Sequence, residues 1–229
     1  MKYINGNAVP DDCTIDQLQE MLDSSDIQTF VLACEALRNT KEAKAYQVLK
    51  TKLQEKDRYR YRYLLSVIFS FDESAELHEY FENALLSDDT LLVTTALEHL
   101  THKNMWVTDE QILTCFEKNH NNLNGYYYQI LLRVARTETH TTKIIKLLNS
   151  SQSNSIKIAV AECLADFTTS ENYHDIYKLF VDSNLPKLRL EACRIANKFG
   201  RVDLLQALAN DSDGHVRKYV KQLCDEIIP

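Results

Sequence analysis

The residues best suited to chemistry in this chain are seven histidines set among 33 acidic side chains. His78-Glu79-x-x-Glu82 has the form of half a helical metal site, and Glu171-x-x-His174 has the spacing of a di-iron half-motif. A di-iron bundle needs that motif twice, with two further carboxylates on facing helices, and neither is present. His99 and His102 lie three apart on one helix, but no third ligand can be named, and a zinc site needs at least three from the protein. At the other end of the chain, Asp211, Asp213, His215 and Arg217 stand close together, but they fall in the last copy of a repeated structural motif, with Asp213 expected as a helix cap and Arg217 expected to pair with acidic groups of an adjoining turn. None of these groupings completes a ligand set, so no metal and no cofactor is expected.

Nucleophilic and phosphate chemistry is no better supplied. The chain has no GxSxG, no phosphate-binding P-loop, no GxGxxG and no HExxH. The six cysteines, Cys13, Cys34, Cys115, Cys163, Cys193 and Cys224, are far apart and form no CxxC pair. Four of them fall in apolar helical stretches, where a thiol behaves as a small hydrophobe. This is cysteine usage suited to a reducing cytoplasm. No catalytic residue is assigned, and the expected function is not enzymatic. One stretch, Arg58-Tyr-Arg-Tyr-Arg-Tyr63, alternates cations with aromatics and could stack on nucleic-acid bases.

Composition weighs against that last use. With 26 basic and 33 acidic residues the formal net charge is −7, which disfavours nonspecific binding to nucleic acid or to an anionic membrane. No apolar run approaches the ~20 residues that span a bilayer. The opening MKYINGNAVPDD lacks an apolar core of signal-peptide length. The chain is 45% apolar with only four glycines and three prolines, which argues against β-sandwiches, glycine-rich nucleotide loops and flexible linkers.

The elements that would position these residues are helices that recur with a fixed period. Opening apolar slots at Thr29, Tyr61, Leu92, Asn124, Ile156, Leu188 and Val216 are spaced by 32, 31, 32, 32, 32 and 28 residues. Residues four and seven further on, such as Val160 and Cys163 or Val220 and Leu223, share one face of a 3.6-residue helix and predict a buried stripe. His99, Thr29 and Asn124 are its weak members. Shorter first helices are expected near 14–22, 41–55, 74–86, 108–118, 139–149, 171–182 and 201–209. Thr14-x-x-Gln17 and Thr108-x-x-Gln111 read as capping boxes. Pro186 fits a first helical turn and Gly200 a left-handed helix end. The whole chain, 1–229, thus reads as one repeat domain, with repeats at 14–39, 40–71, 72–103, 104–137, 138–168, 169–199 and 200–228. Each pair is too small to bury its own apolar face, and stacking the pairs makes a shared core.

The turn-then-Val-Arg pattern at Asp213-x-x-Val216-Arg217, with Leu188-Arg189 before Glu191-Ala192-Cys193 and Ile156-Lys157 before AVAECLADF, resembles the HEAT-repeat family in its short bacterial, armadillo-like form. The first four repeats match in period only. The resemblance implies an all-α, right-handed superhelix of about seven helix pairs whose second helices line a concave face. HEAT-like hydroxylases of the deoxyhypusine type carry several His-Glu pairs, and this chain has one. Nothing marks the chromophore site of a bilin-lyase-like relative. A HEAT-like DNA glycosylase would need a basic concave face.

On such helices, positions two, six and nine after the opening slot face away from the buried stripe. Nine residues are assigned on that basis to a partner-binding concave face: Tyr63, Val67, Glu98, Tyr126, Ile130, Ile158, Glu162, Leu190 and Arg194. Glu35, Glu98 and Glu162 would form an acidic ladder there. Exposed aromatic and aliphatic residues grouped on one face mark a site for a protein or peptide. The expected function is a non-catalytic interaction module, or alternatively an inhibitor or immunity protein for a basic partner steered by charge. Charge is also segregated: Lys41–Arg62 holds eight basic and three acidic residues, and Asp72–Asp89 holds seven acidic and no Lys or Arg. That predicts ion pairs between neighbouring repeats.

Overall fold

Paired helices occupy nearly all of the chain after Thr14, as the 32-residue period requires. The computed structural model describes residues 2–4, 7–9, 13–40, 42–54, 57–71, 75–102 and 107–227, with the side chains of 75, 76, 102, 226 and 227 and of the first two segments left aside. Among them the first helices are α1 (Ile15–Leu22), α3 (Ala43–Thr51), α5 (Ala75–Leu85), α7 (Asp109–Asn119), α8 (Glu138–Ser150), α10 (Tyr173–Val181) and α12 (Val202–Ala207). The second helices are α2 (Ile27–Thr40), α4 (Arg58–Ile68), α6 (Thr90–His102), α9 (Asn154–Phe167), α11 (Pro186–Lys198) and α13 (Gly214–Ile227). The second member of the fourth pair is a 3₁₀ helix, Gly125–Arg133. Apart from an N-terminal hairpin, the regular structure of the described residues is helical, and no helix there is long and apolar enough to cross a membrane.

Local sequence accounts for most of the boundaries. Both capping boxes form: Thr14 Oγ1 and Thr108 Oγ1 accept from the amides of Gln17 and Gln111, whose side chains accept from the threonine amides. Pro186 sits in the first turn of α11. Gly200 has φ +62°. Its amide donates to Asn197 and that of Arg201 to Ala196, the paired bonds of a Schellman end. A further repeat appears in the turns. Ser24, Ser87, Ser151, Ser183 and Asp211 each accept, through the side chain, from the amide two residues on, just ahead of a second helix. This short turn satisfies a backbone donor and aims the chain into the helix.

The chain divides into two compact units, residues 1–107 and 108–229. In the first, α2, α4 and α6 pack side by side, each against its first helix. In the second, the 3₁₀ helix, α9, α11 and α13 do the same. The expected buried stripe holds in α9, α11 and α13, where Ile156, Val160 and Cys163, Leu188, Ala192 and Ile195, and Val216, Val220 and Leu223 are all buried. In the first unit it is broader. Ala33, Leu65, Ile68 and Ala96 are buried as expected, but the opening slots Thr29, Tyr61 and Leu92 are only half-buried, and Phe30, Leu64 and Val93 join the core. His99 is half-buried and stands edge-on to the Phe69 ring at 5.4 Å.

Two elements depart from a purely α-helical expectation. An antiparallel hairpin pairs Lys2–Ile4 with Asn7–Val9, in register Lys2↔Val9, and its second strand lies beside α2. The 3₁₀ helix runs for nine residues, although runs beyond three or four are uncommon because side chains three apart eclipse. Its threefold period is visible in burial. Tyr128, Leu131 and Val134 are buried, while Tyr126, Gln129 and Leu132 are exposed. Tyr128 lies against Phe116 of α7 with ring centroids 4.5 Å apart. Its hydroxyl reaches the His120 carbonyl at 3.1 Å. At Gly125 an added Cβ would come within 3.2 Å of the Ser155 carbonyl oxygen, so the chain closes onto the start of α9 where glycine leaves room.

Candidate functional site

Within the first unit a groove of about 330 Å³ crosses the second helices of three successive repeats. Ile27 and Val31 come from α2, Tyr59, Arg62, Tyr63 and Ser66 from α4, and Thr95 and Glu98 from α6. Helical geometry explains the grouping. Residues 59, 62, 63 and 66 follow the i, i+3, i+4, i+7 pattern of one face, 27 and 31 are one turn apart, and 95 and 98 share a face. Ile27 is 49% exposed and Tyr59 67%, unusual values for side chains of that size and polarity.

The six residues Arg58–Tyr63 tie three repeats together. Asp57 starts α4 by accepting from the amides of Tyr59 and Arg60. Arg58 forms a two-pronged ion pair with Asp89, at 2.6 and 2.5 Å, at the head of α6. Arg60 reaches back instead, donating to the Ser24 carbonyl at 2.6 Å with its guanidinium over the Phe30 ring. Arg62 reaches forward, its Nε donating to Thr95 Oγ1 at 3.1 Å. Tyr63 again reaches back, its hydroxyl donating to the Glu35 carboxylate at 2.6 Å. Burial and that carboxylate hold the Tyr63 phenol well above its ordinary range. Two of the three arginines are therefore committed to structural partners, which removes most of the cation–aromatic array that nucleic acid would need. Tyr59 and Arg62 remain directed at the groove.

Of the nine residues assigned from the sequence, Tyr63 and Glu98 are in this groove. Val67 is 1% exposed and Ile130 2%, so neither can touch a partner, and both assignments are corrected. The reason in α4 is a broader buried face, which takes in Leu64 and Val67 beside Leu65 and Ile68 and leaves Ser66 at the groove. In the 3₁₀ helix the reason is the threefold period. Glu35 is also corrected as a rung of an acidic ladder: it is buried and held by Tyr63 and by Arg38 at 2.5 Å. In the second unit Tyr126 is 51% exposed and Glu162 is exposed, whereas Ile158 and Leu190 are half-buried. Arg194 is bound to Asp166 at 2.5 Å and to Glu191 at 2.8 Å. Burial, opposed by Arg194, raises the Glu191 carboxyl above its usual range. The one further groove described in this unit, about 230 Å³ beside Leu179 and Lys157, contains none of the assigned residues.

The sequence had signals for the missed groove residues. Tyr59 and Arg62 lie in the alternating motif, and Val31 occupies an outward slot of the repeat.

The polar cluster Asp211–Arg217 is structural. Asp213 caps α13, accepting from the amides of His215 and Val216. Arg217, expected to meet acidic groups, donates to the carbonyls of Asp211 and Ser212. Asp211 is bound instead by Arg189, at 2.7 and 2.9 Å, and this holds its carboxyl below the usual range. Among the basic residues of Lys41–Arg62, Lys44 pairs with Asp16 and Lys52 with Asp23 of the preceding repeat, and Arg58 pairs with Asp89 of the acidic run. Lys41, Glu55, Lys56 and Asp72 lie outside the described residues.

The six thiols are free. Burial pushes those of Cys115, Cys163 and Cys193 up to about 12, and that of Cys34 further, so none is a ready nucleophile. Among the described residues no three His, Cys, Asp or Glu gather as a metal site. The side chain of His102, paired with His99 in the sequence, lies outside them.

No family model matches the chain, and no curated protein does. Among solved structures, an engineered protein aligns with a TM-score of 0.50 at 18% identity, over 94% of this chain and 68% of its own. The complex of CpcE and CpcF of phycocyanin lyase from Nostoc sp. PCC7120 aligns with a TM-score of 0.43 at 15% identity, over 100% and 93%. At 18% identity the first of these shows a likeness of fold alone.

Proposed function

We propose that this chain is a non-catalytic, HEAT-like binding module of the cytoplasm that holds a segment of a partner protein in the groove of its first unit. The observation that carries this reading is Tyr59. It is an aromatic left 67% exposed in the lining of a groove whose other apolar and aromatic members are Ile27, Val31 and Tyr63. Large side chains that lose water on contact without losing many rotamers dominate binding energy at protein interfaces. The groove spans α2, α4 and α6, the second helices that HEAT-like proteins turn toward their ligands. Three repeats cross-linked by Arg58, Arg60 and Tyr63 make a preformed platform, and less ordering is then required on binding. Free thiols buried in apolar surroundings support the reducing compartment.

The test is affinity capture from the native host with the wild-type chain, with Tyr59→Asp and with Ile27→Asp. Specific loss of one partner with both variants is the expected result. Equal recovery of every captured protein with all three baits overturns the assignment of the groove.

Charge distribution favours a second reading, an inhibitor of a basic protein. Residues 1–107 hold 11 basic and 18 acidic side chains, whereas residues 108–229 hold 15 of each. The whole excess of negative charge thus belongs to the unit with the groove, which suits steering toward a cationic partner. Association that slows steeply between low and physiological salt is expected on this reading, and an on-rate indifferent to salt rules it out.

A further inference from the structure

Arg62 is the charged group of the groove whose bonding leaves most unused. Its Nε donates to Thr95 Oγ1 at 3.1 Å. Thr95 is itself 1% exposed, with its hydroxyl hydrogen donated to the Leu91 carbonyl at 2.7 Å. A buried hydroxyl on α6 is thus oriented to accept from this one guanidinium. The two Nη groups make no hydrogen bond, and no carboxylate lies within ion-pairing distance, among the described residues. The contrast with the same helix is direct: Arg58 is closed by Asp89, and Arg60 by Ser24 and Phe30.

A guanidinium presents five donors in a rigid plane, and its Nη edge matches the two oxygens of a carboxylate. Fixing Nε aims that edge in advance. Beside it are the apolar walls, Ile27, Val31 and the Tyr59 and Tyr63 rings.

Building on the groove reading above, we infer that the bound segment carries an aspartate or glutamate side chain that docks on Arg62, with an apolar side chain next to it between Ile27, Val31 and Tyr59. A terminal carboxylate fits less well, because capture of chain ends relies on clustered backbone amides. The groove instead offers side chains projecting from three helices, and Arg62 is the one of them aimed in advance at a carboxylate.

Selection of a random dodecapeptide display library on the full chain tests this. Peptides eluted from the wild type are expected to share an apolar residue adjacent to Asp or Glu, and to lose binding with Ile27→Asp. A synthetic copy of the strongest peptide is then titrated against wild type and Arg62→Gln, alongside its acid-to-amide version. The amide version should bind wild type about tenfold to a hundredfold more weakly, yet bind Arg62→Gln as the acid does. Arg62→Lys, which keeps the charge, should recover part of the difference, and thermal melts show whether each variant is folded. Groove-binding peptides without an acid, or an amide penalty that persists in folded Arg62→Gln, overturn the inference while leaving the groove reading intact. Selection that yields no Ile27-dependent peptide overturns the groove reading, and the inference with it.

Discussion

The Tyr63 hydroxyl donates to the Glu35 carboxylate at 2.6 Å, and the same carboxylate holds Arg38 at 2.5 Å. Glu35 is 6% exposed, so this is a buried acid satisfied from two sides, one of them the next repeat. The bond explains why two residues that both look like surface positions on a helical projection are instead part of the joint between α2 and α4. Tyr63→Phe keeps the ring in the groove and removes the bond. Loss of about 1–3 kcal/mol is expected for a buried group left short of a partner, with partner binding retained. Urea unfolding together with a binding titration measures both.

The same bond has a pH signature. Burial first, then Glu35, raises the Tyr63 phenol above the ordinary 10.0 in the folded chain. The folded state favours the neutral phenol, so this contribution to stability is fully present below the unfolded value. It is lost as pH rises toward the folded value. Alkaline unfolding should therefore begin earlier in wild type than in Tyr63→Phe, relative to each protein's stability at neutral pH.

At the acid end, Arg189 holds the Asp211 carboxyl below its ordinary 3.8. Stability from this pair is complete above that value and is lost as pH falls through the lower folded value. With Asp211 5% and Arg189 11% exposed, breaking one side leaves a poorly solvated charge. Asp211→Asn should cost about 3–5 kcal/mol near neutrality and flatten the stability profile below pH 4, as denaturant titrations across pH would show.

Groove residues should behave in the opposite way. Tyr59→Asp and Ile27→Asp change exposed side chains that fill no core position, and their unfolding free energies should stay within about 0.5 kcal/mol of wild type. Loss of partner binding without loss of stability is the expected pattern.

Thiol reactivity checks the packing independently. Cys34, Cys115, Cys163 and Cys193 are buried, and Cys13 and Cys224 half-buried. An aromatic disulfide reagent should modify two thiols under native conditions and six in denaturant.

Much of this could be read from the chain itself. Capping boxes, Pro186, Gly200 and the spacing of apolar slots determine where helices start, stop and pair, because those signals act within one or two turns. The hairpin also has a sequence signal, Asn5-Gly6 between two short runs, a dipeptide strongly preferred in two-residue hairpins. What the sequence could not decide is how far the buried face of α2, α4 and α6 extends around each helix. A step of one residue turns a helix by about 100°, and α4 is flanked by both α2 and α6. Val67 and Ser66 therefore exchange roles on contacts that no local pattern encodes. The same holds for Arg62: its motif announces a cation among aromatics, but only packing against Thr95 aims it, while its neighbours Arg58 and Arg60 are drawn away by Asp89 and Ser24.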